Sequence, residues 1–209
     1  RELQINLIDT APAYGSSETR IGELLTDRKH WLLATKVGEE FIDDQSHFDF
    51  SARHTRLSIE RSLQRLRTDY LDLVLIHSDG NDEAILNNGE CVQTLRDCQQ
   101  QGLIRAIGMS TKTNAGGCLA AELLDVVMVT WNLQQQDTVV VERARELNKG
   151  VLVKKGLMSG HVQSAQHVDS VLASMQLSFS NTGIHSMIVG TLNGDHLRSN
   201  VSKALQALG

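Results

Sequence analysis

Four side chains of this sequence have the types and spacing for a proton-coupled reduction: Asp9, Tyr14, Lys36 and His77. A phenol is a weak acid, with a pKa of about 10, so it donates a proton near neutrality only beside a cation that stabilises its phenolate. Lys36 can supply that cation, and Asp9 can hold the ammonium charged and oriented. His77 can donate a hydrogen bond to a carbonyl oxygen, which completes a set for adding a hydride to C=O. Schiff-base chemistry at Lys36 or Lys154 is the competing mechanism, and nothing besides the lysines supports it.

The elements that must position these groups are strands. Short apolar runs rich in Val, Ile and Leu recur, each followed by helical periodicity, the alternation expected of βα units around a parallel sheet. The expected strands are Ile5 to Asp9, Trp31 to Val37, Leu71 to His77, Ile104 to Met109, Val126 to Trp131, Val151 to Lys155 and Ser186 to Gly190. Helical steps of three and four mark Ile21, Leu24 and Leu25, then Ile59, Leu63 and Leu66, then Cys91, Leu95 and Cys98. Alternate side chains of a strand share a face, which groups Ile5, Leu7 and Asp9, then Leu32, Ala34 and Lys36, then Leu73, Leu75 and His77. Each apolar face ends in a titratable group at the carboxyl end, where a parallel barrel opens its active site.

The turn after the first strand, Asp9 to Gly15, lacks the G-x-G-x-x-G loop of open dinucleotide-binding sheets, which favours a barrel. The expected fold class is therefore α/β, a (β/α)8 TIM barrel with about seven of its eight βα units in this chain. One domain over residues 1–209 is expected, incomplete at its N-terminus, since the chain opens without Met on a strand. Such a start predicts two strand edges with unpaired backbone groups.

At 209 residues, with 41% hydrophobic and 22% charged, the chain can bury a sizeable core. A net charge of -5 offers no basic field for nucleic acid or an anionic membrane, and no apolar run is long enough to span a bilayer. Cys91, Cys98 and Cys118 form no CxxC pair, and no secretory leader precedes the first strand, so a reducing, cytoplasmic setting is expected. His47, Asp49, His54 and Arg56 read as a substrate-side loop with helix caps, and His77, Asp79 and Asp82 as a strand end and turn, so no metal is expected.

Three segments give the chain a family resemblance. The first is Ile8-Asp9-Thr10-Ala11-Pro12-Ala13-Tyr14-Gly15-Ser16-Ser17-Glu18, continued by Ile21-Gly22. The second is Ala34-Thr35-Lys36-Val37, and the third runs from Ser58 through Leu66-Arg67-Thr68-Asp69-Tyr70-Leu71-Asp72-Leu73 to Ile76-His77. In that order they resemble the aldo-keto reductase superfamily over essentially the whole chain. The resemblance implies a catalytic tetrad of Asp9, Tyr14, Lys36 and His77, with Tyr14 as general acid, Lys36 and Asp9 tuning it, and His77 orienting the carbonyl. It also implies that a β-hairpin, a first barrel strand and its helix precede the Asp9 motif in relatives.

The same resemblance implies a nicotinamide dinucleotide across the barrel mouth, NADP by family frequency with NAD as the alternative. Its matched positions are Ser110 near the carboxamide, Thr111, Met128 in place of a usual glutamine, and Trp131. Lys155 stands near the place of a nicotinamide-stacking tyrosine, with Leu157 and Ser159 in a phosphate-side loop. Gly190, Thr191, His196 and Asn200 match the adenosine-side segment, where His196 replaces a common arginine and weakens the case for a 2′-phosphate. The expected activity is reduction of small aldehydes or ketones to alcohols, or the reverse, with the oligomeric state unspecified. Two other readings stay open: a non-catalytic cofactor-sensing or interaction protein on the same barrel, and an inactive barrel fragment.

Overall fold

The computed structural model of the chain describes residues 2–158 and 169–209. Seven parallel strands form one sheet: β1 (Leu7–Asp9), β2 (Leu32–Val37), β5 (Leu71–His77), β6 (Ile104–Ser110), β7 (Val126–Thr130), β8 (Gly150–Lys154) and β9 (Ser186–Met187), hydrogen-bonded in that order. The expected strands are all present. The last is shorter than its apolar run implied, and β8 stops before Lys155, whose backbone turns into the left-handed region at φ 55°.

The sheet is curled into a barrel, and two packing layers show it. One face of the strands contributes Ala34, Leu73, Leu75, Met128 and Leu152, with Leu7, Ala106, Val126 and Ile188 against them. Asp9 of β1 and Ile188 just past β9 stand at opposite ends of the strand order yet line one cavity, which requires the sheet to bend around on itself. The opposite face carries the larger core, in which Leu33, Val74, Ile76, Ile107, Val127, Val129, Val151 and Val153 meet the helices. Residues pointing alternately into these two layers explain why the strands read as continuous apolar runs.

The helices follow the strands: α1 (Ser17–Leu24), α2 (Ala52–Leu66), α3 (Asp82–Asn88), α4 (Glu90–Gln100), α5 (Asn114–Leu123), α6 (Thr138–Glu146), α7 (Ser170–Phe179) and α8 (Gly194–Leu208). Four of them, α2, α5, α7 and α8, start on a side-chain cap. Ser51 accepts from the His54 amide, Thr113 from that of Gly116, and Asn193 from those of Asp195 and His196.

One element departs from the expected loop between Glu39 and Asp49. It is an antiparallel hairpin, β3 (Glu39–Ile42) and β4 (Gln45–Phe48), with Glu39 opposite Phe48. Asp43 and Asp44 both have positive φ, 51° and 58°, as a tight two-residue hairpin turn requires. Its polar composition hides the strand pattern. Among the described residues no helix is long and apolar enough to cross a membrane.

Candidate active site

The carboxyl ends of the inward-facing rows meet at a cavity of about 670 Å³. Asp9, Lys36 and His77 end the inner rows of β1, β2 and β5, and Ser110, Thr130 and Lys154 end those of β6, β7 and β8. Strand parity thus delivers six polar side chains to one mouth.

Lys36 is 2% exposed and would be costly there without partners. Its Nζ reaches Asp9 Oδ2 at 2.7 Å, Asp9 Oδ1 at 2.9 Å and the Thr10 carbonyl oxygen at 2.9 Å. Its three N–H donors therefore have three acceptors. Burial pushes the Asp9 carboxyl above its ordinary range, and the Lys36 ammonium beside it pulls the other way.

Tyr14 sits in the turn after β1, where its amide donates to the Ala11 carbonyl at 3.0 Å and Pro12 occupies the second turn position. The phenol is 48% exposed at the cavity rim. Lys36 Nζ stands 4.8 Å from its ring centroid, and the His77 ring meets it edge-on at 6.2 Å between centroids.

His77 has a neighbour that strand parity does not reveal. Glu39, the first residue of the hairpin, places Oε2 2.6 Å from His77 Nδ1, close enough for charge interaction but out of line for a hydrogen bond. Burial drives the His77 pKa down to about 4; Glu39 opposes this, and Lys36, Lys154 and Lys112 reinforce it. The imidazole is therefore neutral near pH 7. Glu39 follows Lys36 by only three residues, and that proximity was the signal available in the sequence.

At the end of β8, Lys154 Nζ donates to Ser110 Oγ at 2.9 Å and to the Thr111 carbonyl at 2.5 Å. Burial and the neighbouring Lys155 lower its pKa to about 8, against Asp82 and Asp137. Lys112 and Lys155 line the same mouth from exposed positions. The loop carrying Lys112 is fixed from below: Asp82 Oδ2 accepts from the Lys112 amide at 2.8 Å, the Thr113 amide at 2.7 Å and the Thr113 hydroxyl at 2.9 Å. Its other oxygen accepts from the Ser78 hydroxyl. Helix α3 begins at Asp82 itself, directly after Gly80 and Asn81.

The thirteen residues singled out from sequence divide by position. Asp9, Tyr14, Lys36, His77, Ser110, Thr111, Met128, Lys155 and Gly190 all line the cavity. Trp131 does not: it is buried in the outer core, its indole N–H directed at the Leu177 carbonyl at 3.4 Å. Asn132, the polar residue beside it, instead anchors the loop, donating to the Lys155 carbonyl at 3.1 Å. Thr191, His196 and Asn200 also fall outside the lining, on the approach to α8 and its first turns. Ser159 lies outside the described residues. Lys154, rather than Lys155, is the basic group that the β8 inner row aims into the mouth, as the parity of Leu152 and Lys154 requires. His47 is exposed on β4, and Arg56 pairs with Glu60 and Gln101.

The aldo/keto reductase family model matches residues 2–176. The chain belongs to the aldo/keto reductase family. A solved structure from Pseudomonas aeruginosa, provisionally named an aldo-keto reductase, superposes on this aldo/keto reductase with a TM-score of 0.92 at 52% identity, over 98% of this chain and 79% of that one. D-arabinose 1-dehydrogenase of Saccharomyces cerevisiae is 36% identical over 112 residues, 51% of this chain and 32% of its own length. NADH-specific methylglyoxal reductase of Escherichia coli is 34% identical over 118 residues, 50% of this chain and 36% of its own length. This aldo/keto reductase thus spans about a third of the length of those two curated relatives.

Proposed function

We propose that this chain is a nicotinamide-dependent oxidoreductase that interconverts a small carbonyl compound and its alcohol, acting as one barrel domain with Tyr14 as the proton donor. The observation that carries the reading is the buried Lys36 with its ammonium on Asp9 and 4.8 Å from the Tyr14 ring, at the mouth His77 shares. All three Lys36 donors are occupied, so the lysine acts on the phenol through its field: it favours the phenolate left when the proton passes to the substrate oxygen. Asp9 keeps that charge fixed in place. His77 borders the space where a carbonyl would lie and orients it, with the Glu39 carboxylate beside its Nδ1.

The lining suits a dinucleotide, because hydroxyls at Ser110 and Thr111 match an amide and the ammonium group at Lys155 matches a phosphate. Ser110, Thr111, Met128, Lys155 and Gly190 would hold it, with Thr191, His196 and Asn200 beyond the mouth. When bound, a nicotinamide supplies or accepts the hydride. NADP is our reading by family frequency. The absence of an arginine at His196 and the NADH-specific relative favour testing NAD equally. Unpaired thiols at Cys91, Cys98 and Cys118 support a reducing, cytoplasmic setting.

Fluorescence titration of the chain with NADPH and NADH tests the reading. Saturable binding of one or both is expected in wild type and equally in Tyr14→Phe, since the phenol oxygen serves the proton and not the cofactor. Binding of neither would refute it.

A further inference from the structure

We propose that the carbonyl substrate of this mouth carries an anionic group, a carboxylate, received by Lys112 and Lys154; the inference rests on the reductase reading above. Five formally charged side chains line the cavity: Asp9, Lys36, Lys112, Lys154 and Lys155. Asp9 and Lys36 neutralise one another at 2.7 Å, which leaves three ammonium groups that form no ion pair among the described residues, in a chain whose net charge is -5.

The nearby acids are already engaged. Asp82 accepts from the amides of Lys112 and Thr113, Asp137 from that of Thr130 at 2.8 Å, and Glu39 lies against His77. Lys154 is held by a hydroxyl and a backbone carbonyl, and Lys112 extends over the Phe48 ring, 5.8 Å from its centroid. Neither is ion-paired among the described residues. A largely buried ammonium without a counter-charge is unfavourable in the empty site and favourable once an anion enters.

Position decides between substrate and cofactor as the source of that anion. Phe48 pairs with Glu39 across the hairpin, and Glu39 touches His77, so Lys112 stands on the His77 side of the mouth. Lys112 and Lys154 both act electrostatically on His77. Lys155 lines the mouth from beyond the end of β8, beside Gly156 and Leu157 in the chain, and is left for the dinucleotide phosphates. An anion shared by Lys112 and Lys154 therefore lies beside the group that orients the carbonyl, as the carboxylate of a short oxo acid would.

Calorimetric titration of the full chain with 4-carboxybenzaldehyde and its neutral counterpart 4-formylbenzamide tests this. The acid is expected to bind about tenfold more tightly, a charge-assisted hydrogen bond's share. That preference should collapse in Lys112→Gln and in Lys154→Gln and persist in Lys203→Gln, whose lysine pairs with Asp169 away from the mouth. Should Lys154→Gln fail to fold, the exposed Lys112→Gln decides alone. Equal binding of acid and amide, or a preference untouched by Lys112→Gln, overturns the inference. Equal kcat/KM for the two aldehydes also overturns it while leaving the reductase reading intact. Acid-selective, lysine-dependent binding with no oxidation of NADPH or NADH upholds the anion site and overturns the reductase reading.

Discussion

Lys36 and Asp9 are the residues on which the mouth depends. Both are nearly buried, so removing one leaves the other as an uncompensated charge, and Lys36→Met is expected to destabilise the fold by about 3–5 kcal/mol in denaturant unfolding. A loss below about 1 kcal/mol, the level of an exposed pair, would contradict the buried-pair account. His77 gives a pH signature. Its folded pKa of about 4 lies below the ordinary 6.5, so between these values the unfolded chain binds a proton that the folded chain refuses. Its contribution to stability is complete above about pH 6.5 and is lost as pH falls toward 4. The melting temperature of wild type should therefore drop more steeply across that window than that of His77→Gln; parallel curves would contradict a neutral His77. Asp9, Lys36 and His77 were legible because each ends an alternating apolar row. Glu39 was not, because it lies one element beyond the row and its partner is set by the hairpin's fold.

Elements hold these residues through close approaches that leave no slack. Helix α5 passes over Asp82 at Gly116, where a Cβ would overlap the Asp82 side chain. Gly116→Ala is therefore expected to cost about 1–3 kcal/mol by overpacking. It should also loosen the Asp82 clamp on the Lys112 loop, seen as a lower denaturation midpoint together with weaker binding of an anionic aldehyde. Unchanged stability would show that the clamp yields freely. The seven strands were readable from apolar runs, since the five between β1 and β9 are largely buried on both faces and the two edge strands are half-buried. The hairpin was not, because a short, solvent-facing strand such as Gln45–Phe48 carries no apolar period. Trp131 shows the same limit from the other side: a tryptophan at a strand end satisfies core and cofactor readings alike until its indole partner, the Leu177 carbonyl, is known.

At the scale of the whole molecule, the curled sheet brings Asp9 of the first strand and Gly190 beyond the last into one lining. Convergence of that kind follows from parallel strands of one parity and needs no contact to be known beforehand, which is why the site was readable before the structure. The distribution of charge was not. Net charge sums over the chain, whereas the mouth gathers Lys112, Lys154 and Lys155 from separate loops. The most direct test of the account follows NAD(P)H oxidation by the chain with a small aldehyde, in wild type and in Tyr14→Phe. Turnover in wild type that falls by about 10²–10⁴-fold in Tyr14→Phe, with cofactor binding kept, is the predicted result. No oxidation of either cofactor by wild type, or turnover indifferent to the loss of the Tyr14 hydroxyl, would contradict it.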